Sequence, residues 1–285
     1  MLNMDVDLAV IGGGPAGLAA ALRACALGIE SLVVLETDDE AGGIPQQCVH
    51  RGFGEQIFGE KLSGPEYSGR LVREASTAGI PVKLGTTVYR ITGDRMIFAF
   101  NRVDGVISIK AGAVVLATGC RERPRGAICI PGTRPAGVYS AGTAQRFINK
   151  EGYLPGQKVV IVGSGDVGLI SAQAMAENGA RVLSVVELMP YPGGSPENLR
   201  DCLEANGIPL LLQHTVSYIH GSNRVEAVTI VKVDEQGNPI PGTERTVECD
   251  TVLFSVGLIP ETHLACMAGA DLDPATMGPL VDDAM

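Results

Sequence analysis

A single pattern occurs twice along this chain and decides which folds are open to it. In each copy a short apolar segment leads into the spacing G-x-G-x-x-G, a helical segment follows, and a second apolar segment ends at a glutamate. The glutamate lies at the same distance from the first glycine in both copies, at Glu36 after Gly12 and at Glu187 after Gly163. Two strand–helix–strand units of this kind predict parallel sheets covered by helices, which is an α/β fold.

The likeness between the two halves continues beyond these motifs. Gly79-Ile80-Pro81 in the first half corresponds to Gly207-Ile208-Pro209 in the second, and each tripeptide is followed by a predicted strand. Alternating apolar and polar residues then predict a small antiparallel meander in each half, and a buried strand closes each half. These predicted meanders and closing strands occupy residues 89–110, 113–117, 218–248 and 251–256.

The sequence therefore predicts two doubly wound, Rossmann-like dinucleotide-binding domains, the second inserted in the first. Residues 119–156 contain several prolines and no long periodic segment, so we interpret them as the connection between the domains. The predicted first domain comprises residues 1–155 and resumes at residues 262–285. The predicted second domain comprises residues 156–261.

The charge and composition of the chain limit its expected binding partners and its expected cellular location. Lys and Arg number 22 against 32 Asp and Glu, and a net charge of −10 disfavours nucleic acid and anionic membrane surfaces. No apolar stretch is long enough to span a membrane, and the apolar stretch near the start follows Asp5 and Asp7 rather than basic residues. The seven cysteines show no C-x-x-C spacing, so we predict no metal site and a reducing, cytoplasmic location.

The twofold glycine motif predicts two sites for dinucleotides. The first glycine permits a tight turn, the second lets a pyrophosphate approach the backbone, and the third lets helix and strand pack closely. The helix start then offers amide groups to the phosphates, while the closing glutamate accepts hydrogen bonds from ribose hydroxyls and repels a 2′-phosphate. The alternative is a duplicated scaffold whose glycines serve chain geometry alone. The candidate binding residues are Gly12, Gly14, Pro15, Ala16, Gly17 and Glu36, and Gly163, Gly165, Asp166, Val167, Gly168 and Glu187.

Two such motifs in this order resemble the pyridine nucleotide-disulfide oxidoreductase family. The resemblance implies FAD in the first site, with Gly42-Gly43 among its contacts, and NAD(H) in the second. It also implies that Ala117-Thr118-Gly119 and a second turn at Gly257 lie against the cofactors. The activity it implies is hydride transfer between NAD(H) and flavin, with the cofactors carrying the chemistry.

A narrower resemblance rests on residues 118–124 and 141–145. These strings are similar to the FAD- and NAD-binding subunits of opine oxidases, heteromeric proline dehydrogenases and hydrogen cyanide synthase, and to flavoproteins associated with glycerol-3-phosphate dehydrogenases. This resemblance implies an electron-transfer or dehydrogenase subunit in a homo- or hetero-oligomer, whose partner is a second dehydrogenase or oxidase subunit. The nearby basic residues Arg121, Arg123 and Arg125 indicate either an anion-binding site or a solvated loop.

Two further interpretations stay open. Cys48 and His50 follow Gly42-Gly43 and suggest an activated thiol in an NADH-dependent peroxide or disulfide reductase, although a cysteine is often buried as a small apolar residue. The chain lacks the cysteine pair of the family's disulfide reductases. The family pattern also continues beyond residue 285 into a Gly-Asp turn that holds FAD, which gives a third interpretation, a truncated non-catalytic nucleotide-binding subunit.

Overall fold

The computed structural model describes residues 2–282, and they form two compact units. The first unit runs to Arg121 and resumes at Ile259, and the second comprises Glu122–Leu258. A second unit inserted in the first is the predicted arrangement, but the division falls at residue 121 rather than near 155. Residues 283–285 of the predicted return segment lie outside the described residues.

The first unit begins with strand–helix–strand and contains one six-stranded sheet. Its strands are β1 (Leu2–Ile11), β2 (Leu32–Leu35), β3 (Arg51–Phe53), β4 (Leu62–Ser63), β5 (Val82–Lys83), β6 (Thr87–Ile91), β7 (Met96–Asn101) and β8 (Gly105–Leu116). The large sheet has the order β5-β2-β1-β8-β7-β6, and β3 pairs with β4 separately. The last strand of the predicted meander and the predicted closing strand form one continuous strand, β8. It pairs antiparallel with β7 and parallel with β1.

Over residues 2–121 the first unit has three α-helices, two of which pack on this sheet through small and aliphatic residues. They are α1 (Pro15–Ala26), α2 (Glu55–Phe58) and α3 (Gly64–Thr77), with a short 3₁₀ helix at Ile44–Gln47. Proline at the first position of α1 supplies a helical φ without losing a needed N–H, and Gly28, at φ +92°, follows its end. Leu18 of α1 and Leu71 of α3 are buried in the same cluster as Val10 and Val34, and each buried leucine contributes about 1.5–3 kcal/mol.

The second unit separates its parallel sheet from its meander. After β9 (Cys120–Glu122) its strands are β10 (Val138–Ser140), β11 (Lys158–Val162), β12 (Arg181–Val186), β13 (Leu210–Leu211), β14 (His214–Gly221), β15 (Val225–Lys232), β16 (Arg245–Glu248) and β17 (Thr251–Phe254). The parallel sheet has the order β10-β17-β11-β12-β13, and β14, β15 and β16 form a three-stranded antiparallel sheet. The parallel sheet confirms the predicted doubly wound fold of this half, and the three-stranded antiparallel sheet is the predicted meander.

The segment predicted to connect the domains is part of the second unit's fold. β10 pairs in parallel with β17, and it leads into α4 (Ala141–Asn149). Gln145 of α4 donates a buried hydrogen bond to Ser171 of α5 (Asp166–Glu177) at 3.1 Å. A three-residue strand among prolines has too few residues to show a period, which is why sequence patterning placed the boundary too late.

The remaining elements are short. α6 (Pro196–Asn198) continues into a π-helix at Leu199–Glu204, and the return to the first unit contains β18 (Leu258–Pro260) and α7 (His263–Met267). β9 and β18 form a two-stranded sheet. Leu264 and Ala268 pack against the first unit's core, so the return segment completes that unit.

Candidate functional site

The glycine loop of the first unit connects β1 to α1, and its three glycines serve different needs. Gly12 has φ +108°, and a Cβ there would lie 2.3 Å from the carbonyl oxygen of Ala117. A Cβ on Gly17 would lie 1.9 Å from the carbonyl oxygen of Gly12. These two positions therefore require glycine for chain geometry and for close packing of the helix on the strand.

Gly14 has neither constraint. Its φ is −75°, which any residue adopts, and a Cβ would meet no protein atom closer than the Gly43 Cα at 3.8 Å. Pro15 and Ala16 follow it and begin α1, which has no capping side chain at its N-terminus. The loop thus leaves open space and uncapped amide groups at a helix start, which is the arrangement that accommodates a phosphate group.

The glycine loop of the second unit repeats this geometry between β11 and α5. Gly163 has φ +100°, and a Cβ would lie 2.0 Å from the Ser255 carbonyl oxygen, whereas one on Gly168 would lie 2.3 Å from the Gly163 carbonyl oxygen. Gly165 has φ −63°, and a Cβ there would meet nothing within 4 Å. In both units the second glycine is the one that the protein's own packing does not require.

Both predicted glutamates lie at their glycine loops and hold the loop backbone. Glu36 Oε2 accepts a hydrogen bond from the amide of Gly13 at 2.6 Å, and its Oε1 accepts from the amide of Asp38 at 2.8 Å. Glu187 is buried, and its Oε2 accepts from the Ser164 amide at 2.8 Å and from the Ser164 hydroxyl at 2.6 Å. Each carboxylate is thus fixed in place by the loop that it closes.

Sequence reasoning named a glycine pair for the first unit but missed its counterpart in the second. Gly42 donates its amide to the Gly13 carbonyl at 2.8 Å, and Gly43 approaches Gly14. Gly193 donates its amide to the Ser164 hydroxyl at 2.8 Å, and a Cβ on it would lie 3.5 Å from the Gly165 nitrogen. The signal was present, because Gly193-Gly194 follows Glu187 at the spacing at which Gly42-Gly43 follows Glu36.

Asp166 and Val167 occupy the first turn of α5, where both were predicted to contact a cofactor. Asp166 Oδ1 accepts hydrogen bonds from the Ser195 amide and the Asn198 side-chain amide, each at 2.7 Å. It therefore fixes the segment after Gly193-Gly194. Val167 is 43% exposed, so its side chain is open to contact.

The turns that follow the closing strands lie beside the glycine loops of their own units. Ala117 and Ser255 supply the carbonyl groups that lie against Gly12 and Gly163. The Thr118 hydroxyl donates to the Glu261 carbonyl at 2.7 Å, and the Gly119 carbonyl accepts from the Glu261 amide at 3.0 Å. The Gly257 carbonyl accepts from the Arg123 amide at 2.9 Å.

The Cys48 environment differs from that of an activated thiol. Its Sγ donates to the Ile44 carbonyl at 3.5 Å, and the neighbouring His50 ring lies 5.1 Å from the Phe53 ring. Burial raises the pKa of the Cys48 thiol, because a thiolate loses hydration in this environment. This direction is opposite to the lowered pKa on which the thiol hypothesis depends.

The three clustered arginines are not equivalent. Arg121 pairs with Glu261 at 2.6 Å, and Arg123 is exposed, whereas Arg125 is half-buried and bonded to its own loop. Within residues 2–282 no three His, Cys, Asp or Glu side chains are grouped to hold a metal ion. Over the same residues, no helix has the length and hydropathy that crossing a membrane requires.

The family follows from comparison with known proteins. The model of the pyridine nucleotide-disulphide oxidoreductase family matches residues 6–285. The chain belongs to this family, whose members are FAD- and NAD(P)-binding flavoproteins with oxidoreductase activity. The resemblance inferred from the glycine motifs is therefore confirmed.

Curated relatives agree with the narrower resemblance. A subunit of opine oxidase from Agrobacterium tumefaciens (strain Ach5) is 29% identical over 93% of this chain and 55% of its own length. Hydrogen cyanide synthase subunit HcnB of Pseudomonas aeruginosa is 25% identical over 94% of this chain and 60% of its own length. The chain thus spans little more than half the length of these relatives.

A solved structure confirms the fold class. The crystal structure of T. acidophilum thioredoxin reductase matches 98% of this chain and 85% of its own chain, with a TM-score of 0.77 and 24% sequence identity. The predicted α/β class with two Rossmann-like units agrees with this likeness. At this identity the comparison concerns the fold alone.

Proposed function

We propose that the chain is an FAD-dependent oxidoreductase subunit that passes a hydride between NAD(H) and flavin. The observation that carries this proposal is the open space beside Gly14 and Gly165, because neither glycine is needed by the chain's own geometry. When bound, the two cofactors would supply the redox chemistry itself. The protein's contribution is to bind and orient them.

The residues of the first loop fit an FAD pyrophosphate, and those of the second fit a pyridine dinucleotide. Gly14 and Gly165 give a phosphate access to the backbone, and the starts of α1 and α5 add the favourable end of the helix dipole. Glu36 and Glu187 each keep lone pairs for a ribose hydroxyl, since a carboxylate accepts about four hydrogen bonds.

The proposed preference for NAD(H) over NADP(H) depends on Glu187. Its carboxylate is buried and bonded to Ser164 and to the Met189 amide at 2.9 Å, so it cannot swing away from an incoming 2′-phosphate without losing these bonds. A second negative charge placed there is strongly unfavourable in a site of low dielectric.

We also propose an oligomer in which a second dehydrogenase or oxidase subunit exchanges electrons with this one. Two relatives are themselves named as subunits, one of opine oxidase and one of hydrogen cyanide synthase, and these names support a subunit role. A cytoplasmic location belongs to the same proposal. It is supported by seven cysteines that all remain free thiols within the described residues.

The test is the visible spectrum of the purified protein with added FAD, followed by anaerobic addition of NADH. A flavin band that bleaches with NADH supports both sites.

Gly14→Ala should weaken FAD retention, and Gly165→Ala should raise the KM for NADH, each by about tenfold, because the added methyl group occupies the space left for a phosphate. Thermal unfolding of both variants should match the wild type, since neither position is strained.

Gly93→Ala is the matched control, because its Cβ also meets nothing within 4 Å and it lies outside both loops. It should leave flavin retention and the KM for NADH unchanged. The proposal fails if Gly165→Ala keeps the wild-type KM, or if the flavin band never forms at excess FAD. Equal kcat/KM for NADPH and NADH would overturn the proposed preference alone.

A further inference from the structure

The second unit contains a cleft of about 460 Å³ that is separate from its glycine loop. The cleft lies where β10 ends and α4 begins, and Phe254 at the end of β17 reaches it. Its volume falls within the range of about 300–1,000 Å³ that is common for small-molecule sites. Among the described residues, those that line it include none of the glycine loop or of Glu187.

Arg125 is held rigidly at this cleft by backbone carbonyl groups. Its Nε donates to the Ile130 carbonyl at 3.0 Å, and its two terminal nitrogens donate to the carbonyls of Pro131 and Thr133. A guanidinium has five N–H groups, so three bonds leave two for another acceptor. The arrangement orients the arginine without neutralising its charge, because no carboxylate takes part.

A second guanidinium lines the same cleft. Arg134 is exposed, and burial together with repulsion from Arg134 lowers the pKa of Arg125. Glu122 is the carboxylate in the lining, and both of its oxygens accept from the Gly142 amide at the start of α4, at 2.9 and 2.8 Å. Two arginines therefore face the cleft against one carboxylate that the helix start already engages.

The remaining lining is largely apolar. Val138 of β10 lies in this lining, together with Pro124 and Pro135. The hydroxyl groups of Ser140 and Thr143 hydrogen-bond to each other at 2.9 Å at the edge of the cleft. An apolar wall beside two cations fits a ligand with both an oxyanion and an apolar part.

We propose that this cleft binds a small organic anion, with its carboxylate or phosphate group facing Arg125 and Arg134 and its apolar part against the apolar residues of the lining. The proposal does not depend on hydride transfer, because neither glycine loop takes part. Of the basic cluster singled out in the sequence, only Arg125 belongs to this site, and Arg134 is its partner.

The test is a ligand-observed ¹⁹F NMR titration of the purified protein with 4-fluorobenzoate, without added FAD or NADH. We expect saturable binding with a Kd on the order of 1 mM. Arg134→Gln should weaken binding about tenfold, since it removes one of two charged hydrogen-bond donors. Arg134 is exposed, so this variant should fold. Arg123→Gln is the matched control, and it should bind as the wild type does.

Competition with inorganic phosphate distinguishes the two kinds of anion. Displacement assigns the cleft to oxyanions in general, its absence assigns the cleft to carboxylates, and either result supports the proposal. Equal binding of neutral 4-fluorobenzyl alcohol would overturn it, as would no saturable binding at about 10 mM 4-fluorobenzoate. Equal losses in Arg123→Gln and Arg134→Gln, or displacement by NADH, would also overturn it. Failure of flavin reduction leaves each of these outcomes unchanged.

Discussion

Glu36 and Glu187, the proposed ribose ligands, already hold the backbone of their own glycine loops. Each carboxylate holds the amide of the second residue in its own glycine loop, Gly13 or Ser164. In the second unit the Ser164 hydroxyl adds a bond to Glu187 and accepts one from Gly193. The glutamate is therefore positioned before any dinucleotide arrives, which reduces the ordering that binding must supply.

Cys48 gives a prediction about pH. Because burial raises the pKa of its thiol, the reactive thiolate is scarce at neutral pH. Alkylation of Cys48 by iodoacetamide, followed by mass spectrometry, should therefore accelerate about tenfold per pH unit up to pH 9 without reaching a plateau. Cys48→Ser should keep NADH-to-dye turnover. A plateau near pH 7, or loss of turnover in Cys48→Ser, would restore the thiol as the active group.

At the two glycine loops, the sequence predicts which residues the chain requires better than it predicts the contacts that those residues make. Gly12, Gly17, Gly163 and Gly168 were predicted correctly as requirements of the chain, since the motif carries its own geometric reason. The bond from each glutamate to its loop was not predicted, because it depends on the distance between two turns that only the folded sheet sets. Arg125 is one of the basic residues that indicate either an anion-binding site or a solvated loop, whereas Arg134 was not singled out, because only the fold brings it to the same cleft.

Helix α3 is the element whose start is most completely specified by its sequence. Pro65 lies in the first turn, and Ser63 and Glu66 form a capping box: the Glu66 carboxylate accepts from the Ser63 amide at 2.8 Å, and the Ser63 hydroxyl accepts from the Glu66 amide at 3.4 Å. The helix then buries Leu71 and Ala75 against the first unit's core. Local bonds and distant packing thus favour the same helix start.

Ser63→Ala should lower the stability of the protein by about 1 kcal/mol, because it removes the capping hydroxyl. Hydrogen bonds from Ser63 lower the pKa of Glu66, so this stabilisation is present above the unfolded pKa and is lost as the pH falls through the folded one. The difference from wild type in urea unfolding should therefore shrink below about pH 4. Ser76→Ala, at the other end of α3, should not destabilise. Equal effects of the two variants would refute the capping role.

Long periodic elements were predicted well, and short ones were not. α1, α5 and β12 follow the patterns in the sequence closely, because apolar spacing over many residues reports burial. β10 has three residues and acquires its place only by pairing with β17, which is more than a hundred residues away. Nothing local could indicate this pairing.

The whole molecule divides into units whose cores are independent. The two buried clusters of the second unit draw all their residues from Glu122–Leu258. The first unit also has two clusters, and one of them includes Leu264 and Ala268 from the return segment. The second unit is therefore continuous in sequence, whereas the first is complete only after the chain returns.

A fragment of residues 122–258 should accordingly fold alone and unfold cooperatively in urea, followed by circular dichroism. The fragment 156–261, which follows the boundary predicted from the sequence, lacks β10 and α4 and leaves the Ser171 face of α5 uncovered. We expect it to be unfolded or to aggregate. If both fragments unfold at the same urea concentration, the boundary at residue 121 does not mark a unit that folds independently.

The two ends of the second unit are joined by a hydrogen bond, from the Arg123 amide to the Gly257 carbonyl at 2.9 Å. An insertion whose ends are adjacent occupies its host chain as a short loop would, so it imposes no separation on the strands that flank it.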